Sequence, residues 1–246
     1  MATIVLVHGA WHGGWCWKHV RQHLALLGHV VICPTLSGQG YRTHDSYVSG
    51  LRRHSYELAE LVSLEDLDDV ILCGHSYGGM VITEAASTLS ERILAMVYLD
   101  AFVPKQGESA MMLMDESTQI RLRSSASANG GLIAAPNLSA FGVTDPAVQA
   151  WGNDRCRPMH IDCFEEACSA QSLPPNRFYI KARRDERFAF VTTFARLQTE
   201  QGWNLLDIDC GHDAMLIRPD LVGETLDAIS HHLYASDQAQ LGYFET

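Results

Sequence analysis

A serine flanked by two glycines is the residue of this chain best suited to act as a nucleophile. Gly74-His75-Ser76-Tyr77-Gly78 fits the pattern G-x-S-x-G, and it follows the apolar residues 70–73. Residues 80–86 continue with a helical pattern that no glycine or proline interrupts. In a strand–turn–helix unit of this kind, the glycines permit a sharp turn that exposes the serine hydroxyl. We predict that Ser76 is a nucleophile; the alternative is a serine that only caps the helix.

A hydroxyl nucleophile needs a base to take its proton, and the base needs a carboxylate that fixes its tautomer. His212 follows the last predicted strand, directly after Gly211. Asp185 follows the preceding predicted strand. Ser76, Asp185 and His212 thus each come after the C-terminal end of a strand, where parallel sheets place their ligands. We predict that these three residues form a catalytic triad.

Other carboxylates compete for the role of the acid. Asp100 also closes a predicted strand, and it could replace Asp185 beside the histidine or simply anchor a neighbouring loop. Asp209 and Asp213 lie next to His212 in the sequence, a position from which a side chain rarely faces the imidazole ring. We favour Asp185 and keep Asp100 as the alternative.

A loop rich in glycine and tryptophan, residues 8–17, follows the first predicted strand. Backbone N–H groups in such a loop can turn toward a ligand, and with the N–H after a nucleophile they can bind an oxyanion. We predict Ala10 and Tyr77 as the two oxyanion donors. The alternative is a tight turn whose tryptophans, Trp11, Trp15 and Trp17, lie mostly in the core.

The cysteines do not indicate a disulfide framework or a metal site. There are seven of them, an odd number, and they are spread along the chain, which predicts free thiols. His160, Cys163 and Cys168 are close in sequence, but no second pair of ligands completes a zinc site. We therefore expect no bound metal.

Short apolar runs alternate with stretches of helical spacing along most of the chain. This alternation predicts an α/β fold with a mostly parallel, doubly wound sheet. The predicted strands are residues 3–7, 29–33, 70–73, 93–99, 178–181 and 204–208. The final helix is predicted at about residues 220–234, and the polar tail after Ser236 is expected to be loosely ordered.

A long segment without a strand signal separates the fourth and fifth of these strands. Residues 105–175 are rich in Met, Ser, Ala, Asn and Pro, and they far exceed the usual connection of about 2–6 residues. We predict that residues 105–175 form a cap over the sheet, with residues 1–104 and 176–246 as the core domain. Met111, Met112 and Met114 could line an apolar pocket there or belong to the core of the cap.

Composition and charge exclude several classes of function. The formal net charge is −11 and basic residues occur only in short groups, so we expect no nucleic-acid partner. Hydrophobic residues make up 47% of the chain, yet no apolar run is long enough to span a membrane. The chain enters its first strand without a signal-peptide pattern. We expect a cytoplasmic protein that acts on a small molecule without a membrane partner.

Four motifs together resemble those of one family. They are VHGAWHGGW at residues 7–15, GHSYGG at 74–79, AFVP at 101–104 and GHDAML at 211–216. In these motifs the chain is similar to the α/β-hydrolase group that contains plant methyl esterases, hydroxynitrile lyases and related bacterial carboxylesterases, and it resembles the bacterial enzymes most. The resemblance implies the α/β-hydrolase fold, no cofactor and often a homodimer. It also implies the residue roles given above for Ser76, Asp185, His212, Ala10 and Tyr77.

The resemblance implies hydrolysis of small to medium apolar or aryl carboxylic esters through an acyl-enzyme. Lyases of the group carry a threonine and a lysine where this chain has Gly9 and Asp213. We expect the Asp213 carboxylate to repel cyanide beside the base, which disfavours cyanohydrin cleavage. A lyase or carbon–carbon hydrolase on the same scaffold is one alternative, and a ligand receptor with slow turnover is another.

Overall fold

Strands and helices alternate along the chain, as the spacing of apolar residues predicts. The structure, a computed structural model, describes the backbone of residues 1–48 and 50–241 and the side chains of residues 1–44 and 50–235. The end of the tail predicted to be loosely ordered, residues 242–246, lies outside the described residues. Within the described part, no helix combines the length and the apolar character that a membrane crossing requires.

Eight strands are found in the described part of the chain. They are β1 (Thr3–Val7), β2 (Val30–Ile32), β3 (Val70–His75), β4 (Ile93–Leu99), β5 (Leu132–Ile133), β6 (Met159–His160), β7 (Arg177–Ala182) and β8 (Trp203–Ile208). Six of them form one parallel sheet in the spatial order β2-β1-β3-β4-β7-β8. The predicted α/β fold with a parallel sheet is confirmed.

Helices lie between the strands along the chain, and several of them pack against the sheet. They are α1 (Lys18–Leu26), α2 (Leu51–Leu64), α3 (Gly78–Leu89), α4 (Glu116–Ala128), α5 (Pro146–Asn153), α6 (Asp162–Glu165), α7 (Phe188–Leu197), α8 (Ala214–Ile217) and α9 (Pro219–Leu241). Helix α1 packs against α9, and α2 packs against α3. The central strands β1, β3 and β4 are therefore almost wholly buried, which is why they are continuous apolar runs in the sequence. Helix α9 is longer than predicted.

The segment predicted as a cap has secondary structure of its own. It contains α4, α5 and α6, and its two short strands β5 and β6 pair in antiparallel fashion. These strands have two residues each, too few to show an alternating pattern, so the sequence did not predict them. The designation of residues 105–175 as a separate cap stays our prediction.

The carboxyl ends of four parallel strands place the predicted chemistry at one edge of the sheet. Ser76 follows β3, and Asp100 follows β4. Asp185 comes after β7, and His212 comes after β8. Because β3, β4, β7 and β8 are consecutive neighbours in the sheet, side chains that are far apart in sequence meet there.

Candidate active site

Ser76 lies at the turn between β3 and α3 in a strained conformation. Its φ angle is +53°, in the left-handed region that residues with a side chain seldom adopt. The turn closes only because its neighbours lack side chains: a Cβ on Gly74 would lie 2.5 Å from the Gly78 carbonyl oxygen, and one on Gly78 would lie 2.6 Å from the Val7 carbonyl oxygen. These close approaches explain the spacing of the glycines around Ser76.

The loop after β1 lies directly beside this turn. A Cβ on Gly9 would be 2.9 Å from the Cβ of Ser76, so only glycine fits without moving the serine. Ala10 and Ser76 line the same cavity. Among the residues that the structure describes, no hydrogen bond is found from the backbone N–H of Ala10 or of Tyr77. Because nearly all buried backbone N–H groups are paired, two free ones beside a serine are suited to receive an oxyanion.

Two histidines hold the carbonyl groups of this loop. The His8 Nδ1–H donates to the Gly9 carbonyl oxygen (2.8 Å), and His8 Nε2 accepts from the Leu36 N–H (3.1 Å). Burial lowers the pKa of His8 to about 3, so its ring is neutral and can play both roles. The His12 Nδ1–H donates to the Ala10 carbonyl oxygen at 2.7 Å. The peptide planes on both sides of Ala10 are thus fixed. No sequence pattern singles out these two histidines for this role.

His212 faces two carboxylates. Its Nδ1 lies 2.7 Å from Asp100 Oδ2 and 3.3 Å from Asp185 Oδ2. All three side chains are buried. With Nδ1 carrying the proton toward the carboxylates, Nε2 is left free to act as a base. The structure therefore brings both candidate acids to the predicted base, and the hydrogen bond is made to Asp100.

Each carboxylate has its own cation. Lys181 Nζ lies 2.7 Å from Asp100 Oδ1, and Arg187 Nε lies 2.8 Å from Asp185 Oδ1. Burial raises the pKa of Asp100 above its usual value, although His212 and Lys181 act against this effect. For Asp185, burial is outweighed by the nearby His212 ring and by the hydrogen bond from Arg187, which hold the pKa of this carboxyl well below its usual value. Neither cation was predicted, although Lys181 ends an otherwise apolar strand, a signal that could have revealed it.

The ring of His212 is enclosed by other rings. It stacks on Phe190 with centroids 4.7 Å apart, and the ring of His75, the residue before Ser76, is 4.5 Å away. The His75 Nε2–H donates to the His212 carbonyl oxygen at 3.1 Å, so the serine turn and the histidine loop are joined directly. The residue before Ser76 is thus in contact with His212, which in turn contacts Asp185.

Asp213 pairs with a histidine of the loop that follows β1. Its side chain is fully buried, and it does not line the cavity next to Ser76. Its Oδ2 instead lies 3.1 Å from His12 Nε2. A carboxylate oxygen of Asp213 also lies within 4.8 Å of a ring nitrogen of His212. The expected repulsion of cyanide by this carboxylate stays a prediction.

The remaining sequence candidates lie outside this site. Asp209 is exposed and pairs with Arg184, so it does not reach His212. The Tyr77 side chain is buried, with its hydroxyl 3.0 Å from His54 Nδ1 and its ring against Phe164 of the predicted cap. In the described part of the chain, the groups whose ligand atoms lie within 4.8 Å of one another all contain His212, and none contains His160, Cys163 or Cys168.

The pair His12–Asp213 leads to a prediction about stability and pH. Burial opposes the charge of His12, but the Asp213 carboxylate outweighs it and raises the pKa of this histidine. A histidine whose pKa is raised in the folded state stabilises the fold fully when the pH is below its pKa in the unfolded chain, about 6.5. This contribution is lost as the pH rises through its pKa in the folded state. We expect Asp213→Asn to lower the free energy of unfolding by about 3–5 kcal/mol at pH 6, and by less at pH 9.

Urea unfolding of the wild type and the variant at both pH values measures this difference. Asp209→Asn, which removes an exposed carboxylate, is the matched control and should change stability by less than about 0.5 kcal/mol. If Asp213→Asn lowers the free energy of unfolding equally at pH 6 and pH 9, the charge of His12 does not contribute to stability.

The cavity beside Ser76 is small and largely apolar. Its volume is about 290 Å³, at the lower end for small-molecule sites. Six aromatic side chains line it: Trp11, Phe102, Phe141, Phe164, Phe188 and Phe190. Met114 also lines the cavity, whereas Met111 is buried elsewhere and Met112 is exposed. Trp11 connects the loop after β1 to the segment predicted as a cap, because its indole N–H donates to the Ile133 carbonyl oxygen.

Comparisons with known proteins show which family the chain belongs to. A model of the alpha/beta hydrolase family matches residues 4–235. A carbendazim hydrolyzing esterase from Nocardioides sp. (strain SG-4G) is 38% identical over 247 residues, covering 93% of this chain and 100% of that enzyme. Methylesterase 1 of Arabidopsis thaliana is 36% identical over 115 residues, but this match covers only 46% of this chain and 44% of that protein.

A solved structure extends the comparison to the whole fold. An extracellular alpha/beta-hydrolase from a Paenibacillus species has a TM-score of 0.82 and 22% sequence identity, covering 92% of this chain and 98% of that one. At this identity the likeness shows the fold alone. The family resemblance seen in the motifs is confirmed, and the full-length similarity to an esterase indicates the type of reaction. The chain is an ester hydrolase that belongs to the alpha/beta hydrolase family.

Proposed function

We propose that the chain is a serine carboxylesterase in which Ser76 is the nucleophile, His212 the base, and the N–H groups of Ala10 and Tyr77 the oxyanion donors. The observation that carries this proposal is the strained turn at Ser76, which lines an apolar cavity together with Ala10. The buried contact of His212 with two carboxylates supports the choice of base.

The reaction then has two halves. His212 Nε2 takes the proton of the Ser76 hydroxyl as its oxygen attacks the ester carbonyl, and the resulting imidazolium gives this proton to the leaving alcohol. A water molecule, deprotonated by the same nitrogen, then attacks the acyl-enzyme. The bond to the Ser76 oxygen breaks, this oxygen takes the proton back from His212, and the carboxylic acid leaves. The negative charge on the tetrahedral oxygen is expected to be held by the N–H groups of Ala10 and Tyr77.

The cavity favours compact substrates with an aromatic part. Aromatic rings prefer offset-stacked or edge-to-face contacts with other rings, and the cavity walls offer several such faces. The full-length relative is named for hydrolysis of carbendazim. We propose aryl esters, and methyl esters of aromatic acids or carbamic acids, as the substrate class.

A panel of p-nitrophenyl esters tests this proposal. We expect kcat/KM for the acetate and butyrate to exceed that for the palmitate by at least about tenfold, equivalent to about 1.4 kcal/mol, because a cavity of about 290 Å³ cannot enclose a long acyl chain. Ser76→Ala is the control for background hydrolysis. Equal rates across the panel would contradict the proposed substrate class, and no hydrolysis by the wild type would contradict the function.

The structure gives no support to cyanohydrin cleavage. The residue after His212 is the buried Asp213, whereas the lyases of the group have a lysine there. This chain therefore has no cation at that position to stabilise a leaving cyanide. A threonine at Gly9 would collide with His75 Nδ1, which lies 2.8 Å from a Cβ at that position. Release of cyanide from mandelonitrile without ester hydrolysis would reverse this conclusion. Binding of an ester without acylation would favour the receptor alternative.

We also propose a cytoplasmic location and a homodimer. The seven cysteines, all within the described residues, are free, which suits a reducing compartment. The dimer rests on the family resemblance, and light scattering on the purified protein tests it directly.

A further inference from the structure

Two carboxylates lie close to the Nδ1 of His212. The distances are 2.7 Å to Asp100 Oδ2 and 3.3 Å to Asp185 Oδ2. Asp185 Oδ2 is buried and accepts no hydrogen bond from another described residue. A buried carboxylate oxygen without a donor is costly, and the Nδ1–H of His212 is a donor within reach.

Each carboxylate is held in place without the other. Asp100 Oδ1 accepts from Lys181 Nζ (2.7 Å) and from the Ala182 N–H (3.3 Å). Asp185 Oδ1 accepts from Arg187 Nε (2.8 Å) and from the Arg187 backbone N–H (3.3 Å). Two carboxylates that approach each other in a buried site repel, and the two cations offset this repulsion. Neither carboxylate therefore depends on His212 for its position.

Lys181 joins the two halves of the arrangement. Its buried ammonium group has three donors, and all three are used: Asp100 Oδ1, the Ala182 carbonyl oxygen (2.8 Å) and the Asp185 carbonyl oxygen (2.9 Å). The cation that pairs with Asp100 thus also fixes the backbone of Asp185. Lys181 therefore helps to hold both carboxylates close to the imidazole ring of His212.

We propose that Asp100 and Asp185 form a carboxylate pair that orients His212 jointly, so that either one alone supports turnover. The proposal rests on the proposed function, in which His212 is the base. In the resting enzyme the Nδ1–H is bonded to Asp100; when that carboxylate is removed, it turns to Asp185 Oδ2. Both residues are positioning residues, since they act on the substrate only through His212.

The single variants Asp100→Asn and Asp185→Asn and the double variant test the pair. Asparagine suits position 100, where φ is +42°, because it tolerates the left-handed region. We expect each single variant to lose about 10- to 100-fold in kcat/KM for p-nitrophenyl acetate. His212 loses one charged hydrogen-bond partner in each variant but keeps the other. The double variant should lose about 10⁴-fold, as triads do without their acid.

The pH profile separates an electrostatic role from a structural one. Removing a negative charge beside the imidazolium makes protonation harder, so the acid limb of kcat/KM should move to lower pH in each single variant. The other titratable groups next to the His212 ring are His75 and Asp213, and the cations Lys181 and Arg187 pair with its two carboxylates. All four remain in these variants. A merely destabilised variant would lose activity without this displacement.

Asp209→Asn, which removes an exposed carboxylate after the same strand as His212, is the control and should keep full activity. A loss of about 10⁴-fold in one single variant with none in the other would overturn the pair, as would equal loss of about 10⁴-fold in both. If Asp100→Asn does not fold, Asp185→Asn decides alone. A loss of about 10- to 100-fold in its kcat/KM supports the pair, whereas either an unchanged kcat/KM or a loss of about 10⁴-fold overturns it. A wild type that neither hydrolyses esters nor reacts with a fluorophosphonate would refute the proposed function instead.

Discussion

Ser76→Ala is expected to lower kcat for p-nitrophenyl ester hydrolysis by about 10⁴- to 10⁶-fold, the loss seen when a triad nucleophile is removed. Alanine lacks the hydroxyl that forms the acyl-enzyme, and it occupies less space than serine, so the packing around the turn is preserved. KM should change little, because the cavity walls are aromatic side chains that the substitution leaves in place.

The control for this variant is Ser87→Ala, an exposed serine on the same helix that follows the turn. It should keep full activity. Thermal unfolding should show both variants to be folded. A Ser76→Ala enzyme with more than about 1% of wild-type kcat would show that another group attacks the ester.

His212→Gln is expected to have an effect of the same order, about 10⁴- to 10⁶-fold in kcat. Glutamine is close to histidine in size, and its amide N–H can donate to the Asp100 carboxylate as Nδ1–H does. It cannot accept the serine proton at neutral pH, so the nucleophile is not activated. The variant therefore separates proton transfer from the packing of His212 on Phe190.

His231→Gln is the matched control, since this histidine is exposed on α9 and pairs with Asp227 of the same helix. It should retain wild-type kcat/KM. The reaction of Ser76 with a fluorophosphonate gives a second readout, which should be strongly slowed in His212→Gln alone. Labelling at the wild-type rate in that variant would exclude His212 as the base.

The strands and the order of the site residues could be predicted because they depend on local signals. β1 and β4 are found at the predicted bounds, Thr3–Val7 and Ile93–Leu99, since continuous apolar runs are typical of buried parallel strands. The serine turn could be predicted because its glycines are adjacent in sequence to Ser76. The type of fold follows from the same alternation.

The contacts that depend on neighbouring strands could not be predicted. Asp100 follows β4 and Asp185 comes after β7, and these strands lie side by side in the sheet, so both carboxylates emerge at the same edge. Sequence position alone does not say which of two adjacent carboxylates is closer to His212. The pairing of His12 with Asp213 joins residues 201 positions apart, and no local pattern indicates it.

The measurement that tests the central claim most directly is mass spectrometry of the enzyme quenched with acid during turnover of p-nitrophenyl acetate. We expect a burst of about one equivalent of p-nitrophenol per chain and an acetyl group on the peptide that contains Ser76, absent from Ser76→Ala. Steady hydrolysis by the wild type without a burst and without an adduct on that peptide, or an adduct on another residue, would contradict an acyl-enzyme at Ser76.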